Sequence, residues 1–435
     1  MTGRPTVAVA LHDGFYGSGT GAGYANRGFL QTLADLLAPS ARLVVLPVYL
    51  ASDSPQYQAG WHRDTLDICR AAGATVRPLD NGTAGQIRFG DVRAFQRLAA
   101  STADALLDEL PLDAGQAAVI FLDIPFLGAA PLLPEQILGT LAVVPRSTGL
   151  LHDPANRARI QFESDGLHYI ARHGGRIAAI SGYMRDHLIK DYGLPAAALL
   201  DLPDGLTADE WSCRQPGPLD LPSGAQRGFL LALGRAEPYK GWDDLLEALA
   251  ALRDQRVPVP HALLAAVSDQ PCLTAYQRHL ASRIKSLDLD ATLMTRFDPA
   301  IRTLLGHPAL RAVVIPSRAE PFGRVPLEAY AAGAAPVVVT TAGGLAEQVI
   351  DGVTGLAAAP ADPASLASAI GRALSLSAAE RDRMRAAGRH LARTRFDCGS
   401  AVRRFLGQFA PGVLADERFA QHLAEMEEGE EAKKR

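Results

Sequence analysis

Short apolar segments alternate with helical patterns along this chain, and the alternation breaks off once before starting again. An apolar run, a helix and a further apolar run in repeated order are the signature of a parallel sheet covered on both faces. Residues 7–11 read as a first strand, and Phe29, Leu30, Leu33, Leu36 and Leu37 then fall on one helix face. Segments 43–48, 119–122, 141–144 and 176–180 continue the strand series, whereas residues 51–91 carry Gly and Pro and only weak periodicity. Residues 202–223 contain Pro203, Gly205, Pro216, Gly217, Pro218 and Pro222, a linker composition. Beyond them the pattern resumes with strands over 229–233, 262–267, 312–315 and 336–339. Helices over 242–253, 276–286, 325–332 and 363–376 accompany these strands. A chain of 435 residues, 48% of them hydrophobic, can fill two cores. The expected fold is α/β, with Rossmann-like domains over residues 1–205 and 206–394. A helical pattern over 395–409 is expected to cross back to the first domain, ahead of a charged tail over 425–435.

Charge and cysteine usage narrow the function classes. The formal charge is −4 with both signs intermixed, so no basic face for nucleic acid is expected. The only lysines are Lys190, Lys240, Lys285, Lys433 and Lys434, and this Arg- and Ala-rich composition indicates a GC-rich genome. Cys69, Cys213, Cys272 and Cys398 are scattered without CxxC or metal-ligand spacing, which predicts neither a disulfide framework nor a zinc site. The first residues show no secretory leader pattern, and no apolar run reaches the ~18 residues of a membrane span. A soluble, cytoplasmic protein without peripheral membrane contact is expected; the sequence does not specify its oligomeric state.

Three segments carry candidate chemistry. In the first, Phe15-Tyr16-Gly17-Ser18-Gly19-Thr20-Gly21-Ala22-Gly23, alternate glycines between a strand and a helix let backbone amides approach a phosphate or a hydroxyl. Its spacing differs from the dinucleotide fingerprint, and a plain strand-to-helix turn is the bland alternative. In the second, Gly234-Arg235-Ala236-Glu237-Pro238-Tyr239-Lys240-Gly241, two cations five residues apart across a turn can hold a departing diphosphate. Solvated surface cations are the alternative there. In the third, residues 316–333, Glu320 lies in a turn with Pro321 and Gly323, and Glu328 stands in an otherwise apolar helical segment. A carboxylate so placed needs a partner, which a ribose diol could supply, unless it lies on a solvated helix side.

With these motifs in this order, the chain resembles the retaining glycosyltransferases of family 4, which have the GT-B fold. The resemblance runs through Gly234-Arg235, Lys240-Gly241, Pro316-Ser317, Glu320 and Glu328, Ala342-Gly343-Gly344-Leu345-Ala346-Glu347 and Asp351-Gly352-Val353-Thr354-Gly355. The first half adds the glycine loop, His152-Asp153, residues 180–184 and Pro203-Asp204-Gly205. The resemblance implies a GT-B architecture, two Rossmann-like domains facing each other across a deep cleft. It implies catalytic roles for Arg235, Lys240, Glu320 and His152, and donor binding by Gly17, Gly19, Gly234, Phe322, Gly323, Arg324 and Glu328. It places Tyr16, Ser18 and Thr20 against the acceptor. The chain departs from the family at Ser268-Asp269-Gln270-Pro271, where a glycine-bearing turn is usual, and at Gly17-Ser18-Gly19, where two adjacent glycines are usual.

The substrates implied are a nucleoside diphosphate sugar, with guanine or uracil as base, and a small soluble acceptor. An aminocyclitol, an inositol phosphate and a small thiol, as in lincosamide assembly, are the acceptors in view. No metal or other cofactor is expected, because no DxD-like pair stands in a suitable turn and Arg235 with Lys240 can neutralise the leaving diphosphate. A nucleotide-sugar epimerase, a pseudo-glycosyltransferase and an inactive nucleotide-sugar-binding protein are the competing readings.

Overall fold

The computed structural model describes residues 4–17, 20–37, 40–111, 117–212, 219–268, 270, 272–334 and 336–414. Two parallel sheets organise them. The first contains β1 (Thr6–Leu11), β2 (Arg42–Pro47), β3 (Thr75–Val76), β4 (Ala117–Leu122), β5 (Leu141–Val144), β6 (Arg176–Ala179) and β7 (Leu199–Asp201), in spatial order β3-β2-β1-β4-β5-β6-β7. The second contains β8 (Phe229–Arg235), β9 (His261–Ser268), β10 (Ala291–Arg296), β11 (Leu310–Ile315), β12 (Val337–Thr340) and β13 (Leu356–Ala358), in order β10-β9-β8-β11-β12-β13. Every residue of β1 and of β4 is buried, which is why these central strands read as unbroken apolar runs. The expected pair of Rossmann-like halves is the architecture observed.

In each sheet the chain first winds outward from a central strand and then jumps back across it. The reversal falls between β1 and β4 in the first sheet, where Val9 pairs with both Val45 and Ile120. It falls between β8 and β11 in the second. At such a point the connections leave in opposite directions and open a crevice beyond the carboxyl ends of the strands. The two crevices face one another, and this sets the position of the site.

The strands missing from the sequence reading are β3, β7, β10 and β13, all at or next to sheet edges. They are short or mix polar with apolar residues, as in Ala291–Arg296, none of which is fully buried. The helical pattern expected over 395–409 is the helix Cys398–Phe409, and a separate helix, Ala378–Arg395, precedes it. Asp397 starts the later helix by accepting the Ser400 amide at 2.7 Å. This last helix packs on the helix Gly21–Leu37 of the first half, with the rings of Phe29 and Phe405 6.3 Å apart.

A clamp joins the halves at one flank of the cleft. Glu347 accepts the amides of Gly182 and Tyr183, at 3.1 and 2.9 Å, at the start of the helix Gly182–Lys190. Ser181 caps the same helix and donates to the Pro321 carbonyl at 2.6 Å. Cys69, Cys272 and Cys398 are free thiols, and Cys213 lies outside the described residues. Among the described residues no helix is long and apolar enough to cross a membrane.

Candidate active site

The site is built at the two facing crevices. Beyond β1 stand His12 and Asp13; directly after β4 stands Asp123, a non-glycine residue at φ +97°. A backbone held in that region costs roughly 1–3 kcal/mol and persists where the surroundings fix it. Asp123 Oδ1 accepts the amides of Ile124 (2.9 Å) and Arg146 (3.1 Å). Thr20 donates to Asp13 Oδ2 at 2.6 Å and accepts the Gly23 amide at 3.1 Å, which fixes the first turn of the helix Gly21–Leu37. Burial pushes the Asp13 carboxyl up to about 6, and burial also raises that of Asp123. His12 is pushed down to about 3, by burial first and then by Arg159.

On the opposite side β8 ends at Arg235, and the turn Pro238–Lys240 follows. Gly241 has φ +72°, and a Cβ there would stand 1.9 Å from the Pro316 carbonyl oxygen. Only glycine lets this turn lie so close to the end of β11. The approach brings Lys240 Nζ against Glu320 Oε1, which also accepts the Ser317 hydroxyl at 2.9 Å. Gly343 plays the corresponding part behind Glu320: it has φ +56°, and its Cβ would stand 2.1 Å from the Glu320 carbonyl oxygen. Arg235 donates to the Tyr239 hydroxyl.

Phe322 and Gly323 lead into the helix Val325–Ala332. Their carbonyls both accept Gln348 Nε2 at 2.8 Å. That fixes the segment from behind and leaves the helix N-terminus suited to an anion. Glu328, in the first turn, is held by Arg302, whose Nε donates to Oε2 at 2.9 Å, and by Arg324, whose Nε lies 3.5 Å from Oε1. Burial alone would raise this carboxyl, but the two guanidiniums reverse the effect and hold it below the usual range. Arg302 lies over the Tyr24 ring of the first half at 3.7 Å.

Both sides open on one cavity of about 460 Å³, lined by Arg235, Lys240, Glu320 and Glu328 on one wall and by Thr20, Asp123 and His152 on the other. His152 ends the short helix Gly149–His152, and its ring meets the Tyr239 ring across the cleft with centroids 4.8 Å apart. Burial, then the neighbouring Lys240, pushes its pKa down to about 4, so it is neutral near pH 7. A neutral imidazole beside two cations can exchange hydrogen bonds with hydroxyls without adding charge.

Of the residues expected at the site, Arg235, Lys240, Glu320, His152, Gly234, Phe322, Gly323, Arg324, Glu328 and Thr20 line this cavity. The Arg324 guanidinium is also committed to the linker, donating to the Gly205 carbonyl at 2.8 Å and to Glu210. Tyr16 and Gly17 are not among the lining residues. Tyr16 is buried among the rings of Phe15, Tyr49, Tyr57 and His62, and burial pushes its phenol up to about 12. Ser18 and Gly19 lie outside the described residues. The sequence reading did not single out Asp123, Arg302 or the facing of Tyr239 with His152. The position of Asp123 at the very end of an apolar run was the signal available for it.

The profile of the family described as glycosyl transferases group 1 matches residues 220–391, which span the whole second sheet. The D-inositol 3-phosphate glycosyltransferase of Frankia alni is 31% identical over 325 residues, covering 70% of this chain and 76% of that one. Glycogen synthase of Mycobacterium tuberculosis is 34% identical over 228 residues, 51% of either chain. Among solved structures, sucrose-phosphate synthase from Thermosynechococcus elongatus aligns over 95% of this chain and all of that one, with a TM-score of 0.71 at 20% identity. Anabaena HepE in complex with UDP and glucose aligns over 93% of this chain and 99% of that one, with a TM-score of 0.66 at 19% identity. Such low identities speak for the fold alone, and the sequence relatives carry the rest: the chain belongs to the glycosyl transferases group 1 family and is a glycosyltransferase of GT-B architecture.

Proposed function

We propose that this enzyme is a retaining, family-4 type transferase that moves a sugar from a GDP- or UDP-sugar to a small soluble acceptor without a metal ion. One observation carries the reading: Arg235, Lys240, Glu320 and Glu328 converge on a single cavity, with a neutral histidine facing them. Arg235 and Lys240 meet the diphosphate and stabilise the charge that grows on it as the glycosidic bond breaks. The amides of Phe322 and Gly323, at the helix N-terminus, add donors to the same anion or to a sugar hydroxyl. Glu320 Oε1 is engaged by Lys240 and Ser317, and Oε2 is the oxygen offered to the sugar. Glu328 takes the ribose diol. In this reading the departing phosphate oxygen accepts the acceptor proton on the face it leaves, which keeps the anomeric configuration.

HepE, solved with UDP and glucose, and the D-inositol 3-phosphate glycosyltransferase relative support a nucleotide-sugar donor and a small acceptor. We place the reaction in the cytoplasm, in natural-product assembly of the aminoglycoside or lincosamide kind, S-glycosylation of a thiol included. The Lys-poor, Arg- and Ala-rich composition of a GC-rich genome supports that setting. A thermal-shift comparison of UDP, GDP, ADP and dTDP identifies the base. Turnover of the corresponding donor is then followed in excess chelator, with the product's anomeric configuration read by NMR. Full turnover with the donor's own configuration is expected. An inverted product, or activity lost to chelator and restored only by magnesium or manganese, refutes the reading.

A further inference from the structure

The walls of the cavity differ in charge. In the second half Arg235, Lys240, Arg302 and Arg324 are matched by as many carboxylates, whereas in the first half Asp123, Asp153 and Asp204 outnumber Arg146 and Arg159. Asp13 lies just behind, bonded to the lining residue Thr20. Both arginines of this wall are matched by dedicated partners. Arg146 pairs with Asp204 and donates to Asn26 Oδ1 at 2.9 Å, with its side chain 3% exposed. Arg159 donates to Glu163 at 2.7 Å, and that carboxylate is fully buried. Asp13, Asp123 and Asp153 have no ion-pair partner among the described residues. Asp123 accepts two backbone amides through Oδ1 alone, and Asp153 accepts the Asn156 side-chain amide at 3.0 Å.

A second observation is independent of these charges. Phe89, 51% exposed, and Phe95 line the cavity, and the His12 ring meets both edge-on at 5.2 and 5.9 Å. Their contact with His12 places them beside Asp13, and Gly90, next to Phe89, lies against Arg159. Phe89 presents exposed aromatic carbon to the cavity, and Phe95, 3% exposed, backs it. Aromatic rings beside unpaired carboxylates recognise an alkylammonium group. A phosphate dianion needs cations in excess, and on this wall Arg146 and Arg159 each already pair with a carboxylate.

We infer that the acceptor bears a protonated amine, as an amino-substituted cyclitol or polyol does, and that Asp123 binds its ammonium group while Phe89 and Phe95 cover its carbon skeleton. This rests on the transferase reading above, with a hydroxyl of the same molecule as nucleophile. The strained backbone of Asp123 is then a means of aiming Oδ2 from the end of β4 into the cleft.

The test uses one ring at three charges: an amino-deoxy-inositol, myo-inositol and D-inositol 3-phosphate. Each is titrated by calorimetry into full-length enzyme saturated with the nucleoside diphosphate that stabilises it most. The amine is expected to bind roughly tenfold to a hundredfold more tightly than myo-inositol, the range a hydrogen bond to a charged partner supplies. The phosphate is expected to bind more weakly than myo-inositol. Asp123→Asn keeps an oxygen for the Ile124 and Arg146 amides, so it tests the charge separately from the turn. It should abolish the preference for the amine and leave nucleoside diphosphate affinity unchanged. Asp123→Gly, which also relaxes the backbone, should do the same. Tighter binding by the phosphate, equal behaviour of all three ligands including no binding, or an amine preference that survives both substitutions overturns the inference. Nucleoside diphosphate affinity is measured in the same cell, so failure of the transferase reading shows separately as loss of that binding.

Discussion

Replacing Gly241 by alanine tests how closely the two halves of the donor site must approach. The new Cβ would stand 1.9 Å from the Pro316 carbonyl oxygen, about 1.5 Å inside the ordinary contact limit of 3.4 Å. Backbone is the obstacle, so the turn Pro238–Lys240 must retreat from the end of β11 by a distance of that order. Such a retreat draws Lys240 away from Glu320 and opens the Arg318 amide bond to the Tyr239 carbonyl, now 2.7 Å. A displacement of about 1 Å in a positioned group can lower turnover roughly 10²-fold. The left-handed backbone adds roughly 1–2 kcal/mol of instability for a residue with a Cβ. Gly73→Ala separates the two effects, because Gly73 has φ +63° and nothing within 4 Å of its Cβ position. Steady-state kcat and chemical denaturation are measured on both variants. Gly73→Ala should lose stability only, whereas Gly241→Ala should lose stability and about two orders of magnitude in kcat. A Gly241→Ala enzyme with unchanged kcat would refute the claim that this close approach sets the cation's position.

Lys240→Ala should reduce kcat by roughly 10² to 10³, the cost of one charge-stabilising donor in a preorganised site, and near-normal turnover would remove the cation from the mechanism. Glu328→Gln should weaken nucleoside diphosphate binding by about tenfold or more while kcat at saturating donor changes little, because ribose contacts are alike in ground and transition states. Calorimetry showing unchanged affinity would sink the ribose assignment. Asp13→Asn should stabilise the protein near pH 7.5, since burial raises the Asp13 carboxyl from 3.8 to about 6 and the ionised form is penalised by about 3 kcal/mol. The sign follows from proton uptake: the folded wild type binds the extra proton between pH 6 and 3.8, gains stability as pH falls through that window, and so erases the variant's advantage. Thermal denaturation across this range with a constant difference between the two proteins would contradict it.

The second half's wall of the cavity was legible because its charged residues lie in turns that glycine punctuates. Arg235 and Lys240 stand between Gly234 and Gly241, and Glu320 precedes Gly323, so strand ends, turn residues and charges coincide in short stretches. The first half's wall was not legible in the same way. Asp123 is a single acid after an apolar run, and its meaning appears only when β4 is seen to lie beside β1. Arg302 lies in a short turn of helix 26 positions before the carboxylate it grips, a pairing no local pattern announces. Tyr16 illustrates the reverse case: an aromatic beside a glycine loop suggests a ligand contact, but four neighbouring rings enclose it. The edge strands were missed for a related reason, since a strand with one covered neighbour need not be apolar throughout.

The bond network of Ser181 and Glu347 has a mechanical consequence. Because it ties the start of the helix Gly182–Lys190 to Pro321 and Glu347, separating the lobes at that flank requires breaking three hydrogen bonds. Two of those bonds end on the one Glu347 carboxylate, so its loss would leave the Ser181 hydroxyl alone to hold that flank.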